Sequence, residues 1–264
     1  MPFTFSHPAA VLPLRGIKFL QTVPLMVGSI APDLPYFVPA RFMPPRLNRV
    51  MWDTHTALGT LWLDIPIGAA VLLFAYLLRG PLTALLTPRA RALCLESIER
   101  LKSTPWNWLL ALVSIYVGAW THLAWDSFTH ENGWMVRRIA ALSAPVTIGA
   151  YTGTMCHVLQ YVSSVAGLAI LAIWYRRLPT PASEPPNATG VSPVGRALLL
   201  LLVTIAGAAI GVYFAGHAVL AGYSNYRVIY LLLTRAIAGF AVLYLLAGSF
   251  VALHRRRPEP VPGL

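Results

Sequence analysis

The chain has 264 residues, of which 57% are hydrophobic and 11% are charged. Soluble domains carry about 25% charged residues, so this composition excludes an ordinary soluble domain and indicates a multi-pass membrane protein. The net charge of +11 does not indicate a nucleic-acid partner, because the basic residues form short clusters between apolar runs, as in membrane loops. With only Cys94 and Cys156, a thiolate metal site is excluded by number.

The first apolar segment, residues 8–30, is interrupted by residues that a membrane span seldom contains. They include Pro13, Arg15 and Pro24. A proline inside a helix removes a backbone donor, so the segment favours a re-entrant or interfacial helical hairpin over a sixth span. It also lacks the basic region and the uninterrupted apolar core of a cleaved signal peptide.

Five further apolar runs are long enough to cross a bilayer, which takes about 20 helical residues. They are Ala57–Leu78, Trp106–Trp125, Tyr151–Tyr175, Ala197–Leu220 and Val228–Leu253. The sequence thus predicts an all-α integral membrane bundle of about five transmembrane helices. We divide it into a helical membrane domain (1–177), a flexible Pro/Ser/Thr-rich linker (178–195) and a C-terminal transmembrane pair with a basic tail (196–264).

The charged residues predict an orientation and a shared site. Eleven basic residues fall on one side of the predicted membrane and eight on the other, so the positive-inside rule predicts an inner (plasma) membrane protein with a cytoplasmic C-terminus. The histidines segregate more sharply, since six of seven lie at or near the opposite face with four acidic residues. This set comprises His7, His55, His122, His130, His157, His217, Asp33, Asp53, Asp126 and Glu131.

The end of the second predicted span carries His122, Asp126 and His130 at intervals of four residues. Residues four apart lie on one face of a helix, so these side chains would stack there. Nitrogen and oxygen donors in a compact group are what zinc requires, and ionisable groups at membrane depth are candidates for function. The alternative is an interhelical hydrogen-bond network without a metal ion.

Three further candidates lie in loops or at helix ends that can converge with this span. They are His7, Asp33 and His55. His7 and Asp33, taken singly, could each cap a helix, but their order along the chain favours metal ligands. The predicted ligand set is therefore His7, Asp33, His55, His122, Asp126 and His130.

Four segments carry a resemblance to a known family: MPFTFSHPAAVLPL, GSIAPDLPYF, HTALG with LDIP, and THLAWDSFTHENGW. Together they resemble a bacterial family of multi-pass membrane proteins of unknown function, akin to the YdjM-type membrane-bound metal-dependent hydrolases. The ligand order is similar to that of the zinc-dependent phospholipase C and S1/P1 nuclease superfamily, whose helical bundle holds zinc ions bridged by the aspartate of HxxxD. This implies one ion on His55, His122, Asp126 and Asp33, and a second on His7 and Asp126.

The resemblance also predicts an activity. A metal-dependent hydrolase would cleave a phosphoester, such as a lipid phosphate, at the outer membrane–water interface, with zinc as the expected ion and manganese as the alternative. Asp33 or Glu131 would accept the proton of the attacking water. Asp53, Thr129 and His157 would orient ligands by hydrogen bonds. A metal- or proton-coupled transporter and a non-enzymatic scaffold with a structural metal site are the competing functions.

Two charges lie deeper in the predicted membrane. Asp64 and Arg235 are about 10 Å from one end of the first and last spans. Opposite charges in lipid must find partners, so we expect a structural ion pair. The functional alternative is that Arg235 binds a phosphate group of the substrate.

Overall fold

The computed structural model describes residues 3–39, 42–43, 51–149, 151–180 and 191–254, and this part of the chain is almost entirely helical. The predicted all-α class is therefore confirmed. The helices and strands are α1 (Pro8–Val11), α2 (Thr22–Ile30), α3 (Ile65–Leu77), α4 (Arg79–Ala84), α5 (Pro88–Ser103), α6 (Pro105–Thr129), α7 (Ala140–Ser143), β1 (Pro145–Ile148), β2 (Tyr151–Thr154), α8 (Met155–Arg177), α9 (Pro193–Leu220) and α10 (Asn225–Leu253). Short 3-10 helices lie at Thr4–Ser6, Leu12–Gly16, Ala31–Phe37 and Met51–His55, and a π-helical turn at Thr60–Asp64 leads into α3.

Among the described residues, five helical segments are long and apolar enough to cross a membrane. They are Thr60–Leu77, Pro105–Thr129, Met155–Arg177, Pro193–Leu220 and Asn225–Leu253. Each overlaps one of the predicted apolar runs, so the prediction of about five transmembrane helices is confirmed. Their length and composition indicate a multi-pass membrane protein.

The three longest helices begin at capping residues. The side chains of Thr104, Ser192 and Ser224 each accept a hydrogen bond from the backbone N–H three residues later. Pro105 and Pro193 directly follow two of these caps. The backbone N–H of the first helical residue makes no hydrogen bond within a helix, so a proline at this position costs none. Local sequence therefore determines where these spans start.

The N-terminal segment forms two short helices rather than a sixth span. Helix α2 crosses α6 at very close range, because glycines stand at the contact on both sides. A Cβ atom on Gly28 would lie 2.1 Å from the carbonyl oxygen of Ile115, and one on Gly118 would lie 2.2 Å from that of Leu25. Only glycine allows this approach, which brings the C-terminal part of α2 against the second half of α6.

The structure differs from the sequence prediction at Tyr151–Thr154, which forms a β-strand before α8 instead of the first turn of the third span. Strands β1 and β2 pair antiparallel, with Ile148 opposite Tyr151. Gly149 begins the turn with a φ of 58°, a left-handed conformation that favours glycine. The third span therefore starts at Met155 rather than at Tyr151. The hydropathy of the long apolar run did not reveal that β2 carries a tyrosine and two threonines, residue types that favour a strand.

The described residues form two compact units that do not follow the order of the chain. The first comprises Met1–Pro35, Ala40–Phe74 and Glu96–Leu178, and the second comprises Tyr36–Pro39, Ala75–Leu95 and Pro179–Leu264. The first has a core around Leu72, Leu101, Ala111 and Ile115, and the second around Ala84, Leu85 and Val251. Residues 181–190 of the predicted linker and the basic tail 255–264 lie outside the described residues, and the predicted three-part division stays a prediction.

Candidate metal centre

The first unit brings the predicted ligands together from four separate segments. They come from the N-terminal turn, the 3-10 helix after α2, the 3-10 helix before the first span, the last two turns of α6 and the residue after it. Two overlapping groups could each hold a metal ion, because their ligand atoms lie within 4.8 Å of one another. One group is Asp33, His55 and His122, and the other is His7, His122 and Asp126.

Four pairs of ligand atoms lie at distances close to those in a tetrahedral metal site. Nε2 of His55 lies 3.3 Å from Oδ1 of Asp33 and 3.8 Å from Oδ2 of Asp126. Nε2 of His122 lies 3.6 Å from that Asp33 oxygen and 3.4 Å from that Asp126 oxygen. Zinc bonds of about 2.0–2.1 Å place neighbouring tetrahedral ligands about 3.4 Å apart. Asp33, His55 and His122 could therefore hold one divalent ion, and the Oδ2 atom of Asp126 lies next to both histidines.

The carboxylate of Asp126 faces two groups of donors at once. While its Oδ2 atom faces His55 and His122, its Oδ1 atom lies 3.6 Å from Nε2 of His7. The His7 ring stacks on that of His122, with 3.8 Å between ring centroids. A carboxylate whose two oxygens face different ligand groups can bridge two ions, as in two-metal sites.

Hydrogen bonds select the ring nitrogen that each histidine presents to the centre. Nδ1 of His122 lies 2.8 Å from the Ser29 carbonyl oxygen, which can only accept, so the proton is on Nδ1 and Nε2 is free for a metal ion. The Thr54 hydroxyl donates to the Pro32 carbonyl and therefore accepts from Nδ1 of His55, at 3.0 Å in both cases. Such outer contacts fix the tautomer of metal-binding histidines.

The carboxylate of Asp33 is oriented in the same way. Its Oδ2 atom accepts a 2.6 Å hydrogen bond from the Thr4 hydroxyl, which leaves Oδ1 directed at the two histidines. Burial by itself raises the pKa of Asp33, but the neighbouring His122 and His55 outweigh it and hold the pKa below its usual value. Asp33 is therefore ionised at neutral pH, as a metal ligand must be.

The His7 imidazole is neutral. Burial, reinforced by the neighbouring His122, lowers the pKa of His7 to about 3. Among the described residues, neither of its ring nitrogens has a hydrogen-bond partner, and the same is true of Nε2 of His122, Oδ1 of Asp33 and Oδ1 of Asp126. Buried polar atoms nearly always have partners, so the unpartnered Nε2 atoms of His7 and His122 and the Oδ1 atoms of Asp33 and Asp126 are explained most simply by bound cations.

His130 is placed differently from the sequence prediction. Helix α6 ends at Thr129, and His130 is extended, so it does not continue the stacked face of His122 and Asp126. Its Nδ1 atom lies 3.1 Å from the Asp126 carbonyl oxygen and 3.3 Å from the Thr129 hydroxyl. It is 3.6 Å from Oδ2 of Asp126 but belongs to neither group of three ligands. That Thr129 orients a metal ligand through this contact stays a prediction.

The remaining predicted residues lie around or apart from this cluster. The Glu131 side chain is 64% exposed, and its Oε1 atom lies 3.9 Å from Nε2 of His157. The Nδ1 atom of the same histidine lies 3.3 Å from the Thr154 hydroxyl. Asp53 is exposed, and it is the neighbouring Thr54 whose hydroxyl contacts Nδ1 of His55.

The sequence analysis missed three groups that orient ligands. They are the hydroxyls of Thr4 and Thr54 and the backbone carbonyl of Ser29. The hydroxyls carried a signal, because each threonine lies within three residues of a predicted ligand. A backbone carbonyl carries none, since every residue has one.

The two deep charges belong to different units. Asp64 is fully buried at the end of the π-helical turn, and neither of its carboxylate oxygens has a hydrogen-bond partner among the described residues. In the second unit, Nη1 of Arg235 donates to the Phe37 carbonyl at 3.3 Å. The predicted ion pair and the predicted role of Arg235 in substrate binding stay predictions.

Comparison with known families gives one match, which covers nearly the whole chain. The family model described as "Domain of unknown function (DUF4184)" matches residues 1–249, and the chain therefore belongs to this family. No curated protein and no solved structure matches the chain.

Proposed function

We propose that this member of the DUF4184 family is a membrane-embedded, metal-dependent hydrolase that cleaves a phosphoester, with a lipid phosphate as its substrate. One observation carries the proposal: donor atoms of Asp33, His55, His122 and Asp126 face one another at 3.3–3.8 Å, and among the described residues Oδ1 of Asp33 and Nε2 of His122 have no hydrogen-bond partner. Nitrogen and oxygen donors without a thiolate suit zinc, and manganese is the second choice.

The reaction needs a metal ion with one accessible side. A divalent ion here would polarise a phosphoryl oxygen and make water acidic enough to attack near neutral pH. The side chains of His55 and Asp126 are 25% and 10% exposed, while those of Asp33, His7 and His122 are buried, so a substrate would approach past His55 and Asp126.

The residue that accepts the proton of the attacking water would lie outside the ligand group. Both oxygens of Asp33 are engaged, one by the Thr4 hydroxyl and the other by the ligand cluster. Of the two predicted acceptors, this leaves Glu131, which is exposed and follows His130 directly. Its neighbour His157 would keep the carboxylate near the rim of the centre.

The membrane setting supports a lipid substrate. Asp126 lies in the last turn of a helix that qualifies as a span, so the cluster would lie near the headgroups. In the orientation that the basic residues predict, this face is the outer face of the plasma membrane and the C-terminus is cytoplasmic.

A structural metal site is the second candidate. Four protein ligands close a tetrahedral shell, and closed shells are typical of structural zinc sites. The contact between His7 and Oδ1 of Asp126 favours the hydrolase, because a second ion there would have few protein ligands and therefore open positions.

The test begins with metal content, measured by mass spectrometry on the detergent-purified protein. The wild type should hold about two zinc or manganese ions per chain, and His122→Ala and Asp126→Asn should lose them. His217→Ala is the matched control, since this exposed histidine of the second unit bonds only the Tyr213 carbonyl among the contacts described for it.

Activity is then measured on lipid phosphoesters with the untreated, chelated and metal-restored protein. We expect hydrolysis that chelation abolishes and zinc or manganese restores. A metal-loaded protein without hydrolysis would leave the scaffold or a transporter as the function, and a well-folded protein without metal would reject the proposal.

A further inference from the structure

The segment that joins α6 to α7, residues 130–139, is held against the metal-binding end of α6; we name it the arginine loop. The backbone N–H groups of Met135 and Val136 both donate to the Ser127 carbonyl, at 3.1 and 3.2 Å. The Val136 side chain is buried. Since Ser127 follows Asp126 directly, the loop has a defined position beside the candidate centre.

Two exposed cations in this loop have no carboxylate partner among the described residues. Arg137 and Arg138 form no ion pair with any carboxylate in the described part of the chain. The guanidinium of Arg138 lies 3.8 Å from the centroid of the Trp134 ring and donates to the Trp134 carbonyl at 3.1 Å. This contact limits the motion of Arg138 while leaving donors available to an anion.

The neighbours of these arginines indicate the nature of that anion. Trp134 is 52% exposed and Ile139 is 41% exposed, so the loop presents apolar surface beside its positive charge. The loop follows the span that ends at Thr129, and the next span begins at Met155. It therefore lies near headgroup depth, where tryptophan and arginine are typical of contact with lipid.

We propose that the arginine loop binds the phosphate of an anionic phospholipid through Arg137 and Arg138, while Trp134 and Ile139 enter the interfacial layer. An acidic protein would match the charge but would leave the two apolar side chains without a partner. The binding does not depend on a metal ion or on hydrolysis, so it goes beyond the proposed function.

The test measures binding of dioctanoyl phosphatidylglycerol to the purified full-length protein in neutral detergent, by thermophoresis. The wild type should bind with a saturable Kd, and R137Q/R138Q should raise that Kd about 25-fold, because each cation near an anionic lipid contributes about fivefold. R176Q/R177Q is the matched control, since it removes an adjacent arginine pair from the C-terminal end of α8. The control should change the Kd by less than about threefold.

Four outcomes would overturn the proposal: an unchanged Kd in R137Q/R138Q, an equal loss in both variants, binding of inorganic phosphate as tight as that of the lipid, or tighter binding of a polyglutamate peptide. Both arginines are exposed, so R137Q/R138Q should melt like the wild type. Metal content measured on the same samples separates the two proposals. R137Q/R138Q should retain the metal ions, whereas His122→Ala should lose them and still bind the lipid.

Discussion

Replacing Gly118 with alanine tests whether the glycine crossing of α2 and α6 holds His122 in its metal-binding position. A Cβ atom at position 118 would lie 2.2 Å from the Leu25 carbonyl oxygen and 2.8 Å from the Ser29 nitrogen. Real Cβ atoms essentially never approach closer than 3.0 Å, so the backbone of α2 must move by about 1 Å. The neighbouring atoms are backbone atoms, which cannot swing away as a side chain could.

The same movement reaches the metal centre through Ser29. Its carbonyl oxygen lies 2.8 Å from Nδ1 of His122, and a shift of about 1 Å takes this contact beyond hydrogen-bond range. Overpacking costs about 1–3 kcal/mol, and the lost hydrogen bond adds about 1 kcal/mol. We therefore expect Gly118→Ala to lower the free energy of unfolding by about 2–4 kcal/mol and to weaken metal binding.

The assay compares the melting temperature and the zinc affinity of Gly118→Ala with those of Gly216→Ala. A Cβ atom at Gly216 in α9 would meet no atom within 4 Å, so this control should match the wild type or gain up to about 1 kcal/mol from helix propensity. If both variants melt alike and bind zinc like the wild type, the crossing does not position His122 and the reasoning is refuted.

Three further predictions concern the same centre. Thr54→Val removes the acceptor for Nδ1 of His55 and should lower metal affinity about 10- to 100-fold, as measured by competition with a chelator. The control Thr152→Val, at an exposed threonine, should leave the metal affinity unchanged. Equal affinities in the two variants would contradict the role of Thr54. The pKa of His7 is about 3 in the folded protein and about 6.5 unfolded, so the unfolded state binds the extra proton between these values. The metal-free protein should therefore lose up to about 1.4 kcal/mol of stability per pH unit as the pH falls from 6.5 towards 3, and His7→Asn should flatten this slope in acid unfolding. Zinc at 100 times its Kd should stabilise the wild type by about 2.7 kcal/mol over the chelated protein in thermal melts, and an equal gain in Asp126→Asn would place the zinc elsewhere.

Among the features that the sequence predicted well, the spans come first. A run of about 20 apolar residues predicts a span by itself, because each backbone polar group in lipid must bond within its own helix. The interval of four between His122 and Asp126 likewise predicts a shared helical face. These features depend on neighbours along the chain, so the sequence contains all the information that they need.

The sequence was less informative where neighbours in space decide the outcome. His130 lies one residue beyond the end of α6, in extended conformation, and its Nδ1 atom is 3.1 Å from the Asp126 carbonyl oxygen, so its role as a metal ligand stays a prediction. Strand β2, Tyr151–Thr154, was predicted as the start of the third span, since hydropathy does not distinguish a short strand from the first turn of a helix.

The sequence alone determined that this chain is helical with five segments able to span a membrane, and that His122 and Asp126 share a helical face. Only the tertiary structure decided which atoms of those groups meet. The orientation of His122 depends on the Ser29 carbonyl, and that carbonyl is in reach only because Gly118 lets α2 approach α6. A metal site requires its donors to be placed to within a few tenths of an ångström. Such placement results from contacts between segments far apart in the chain, and no local pattern of residues encodes it.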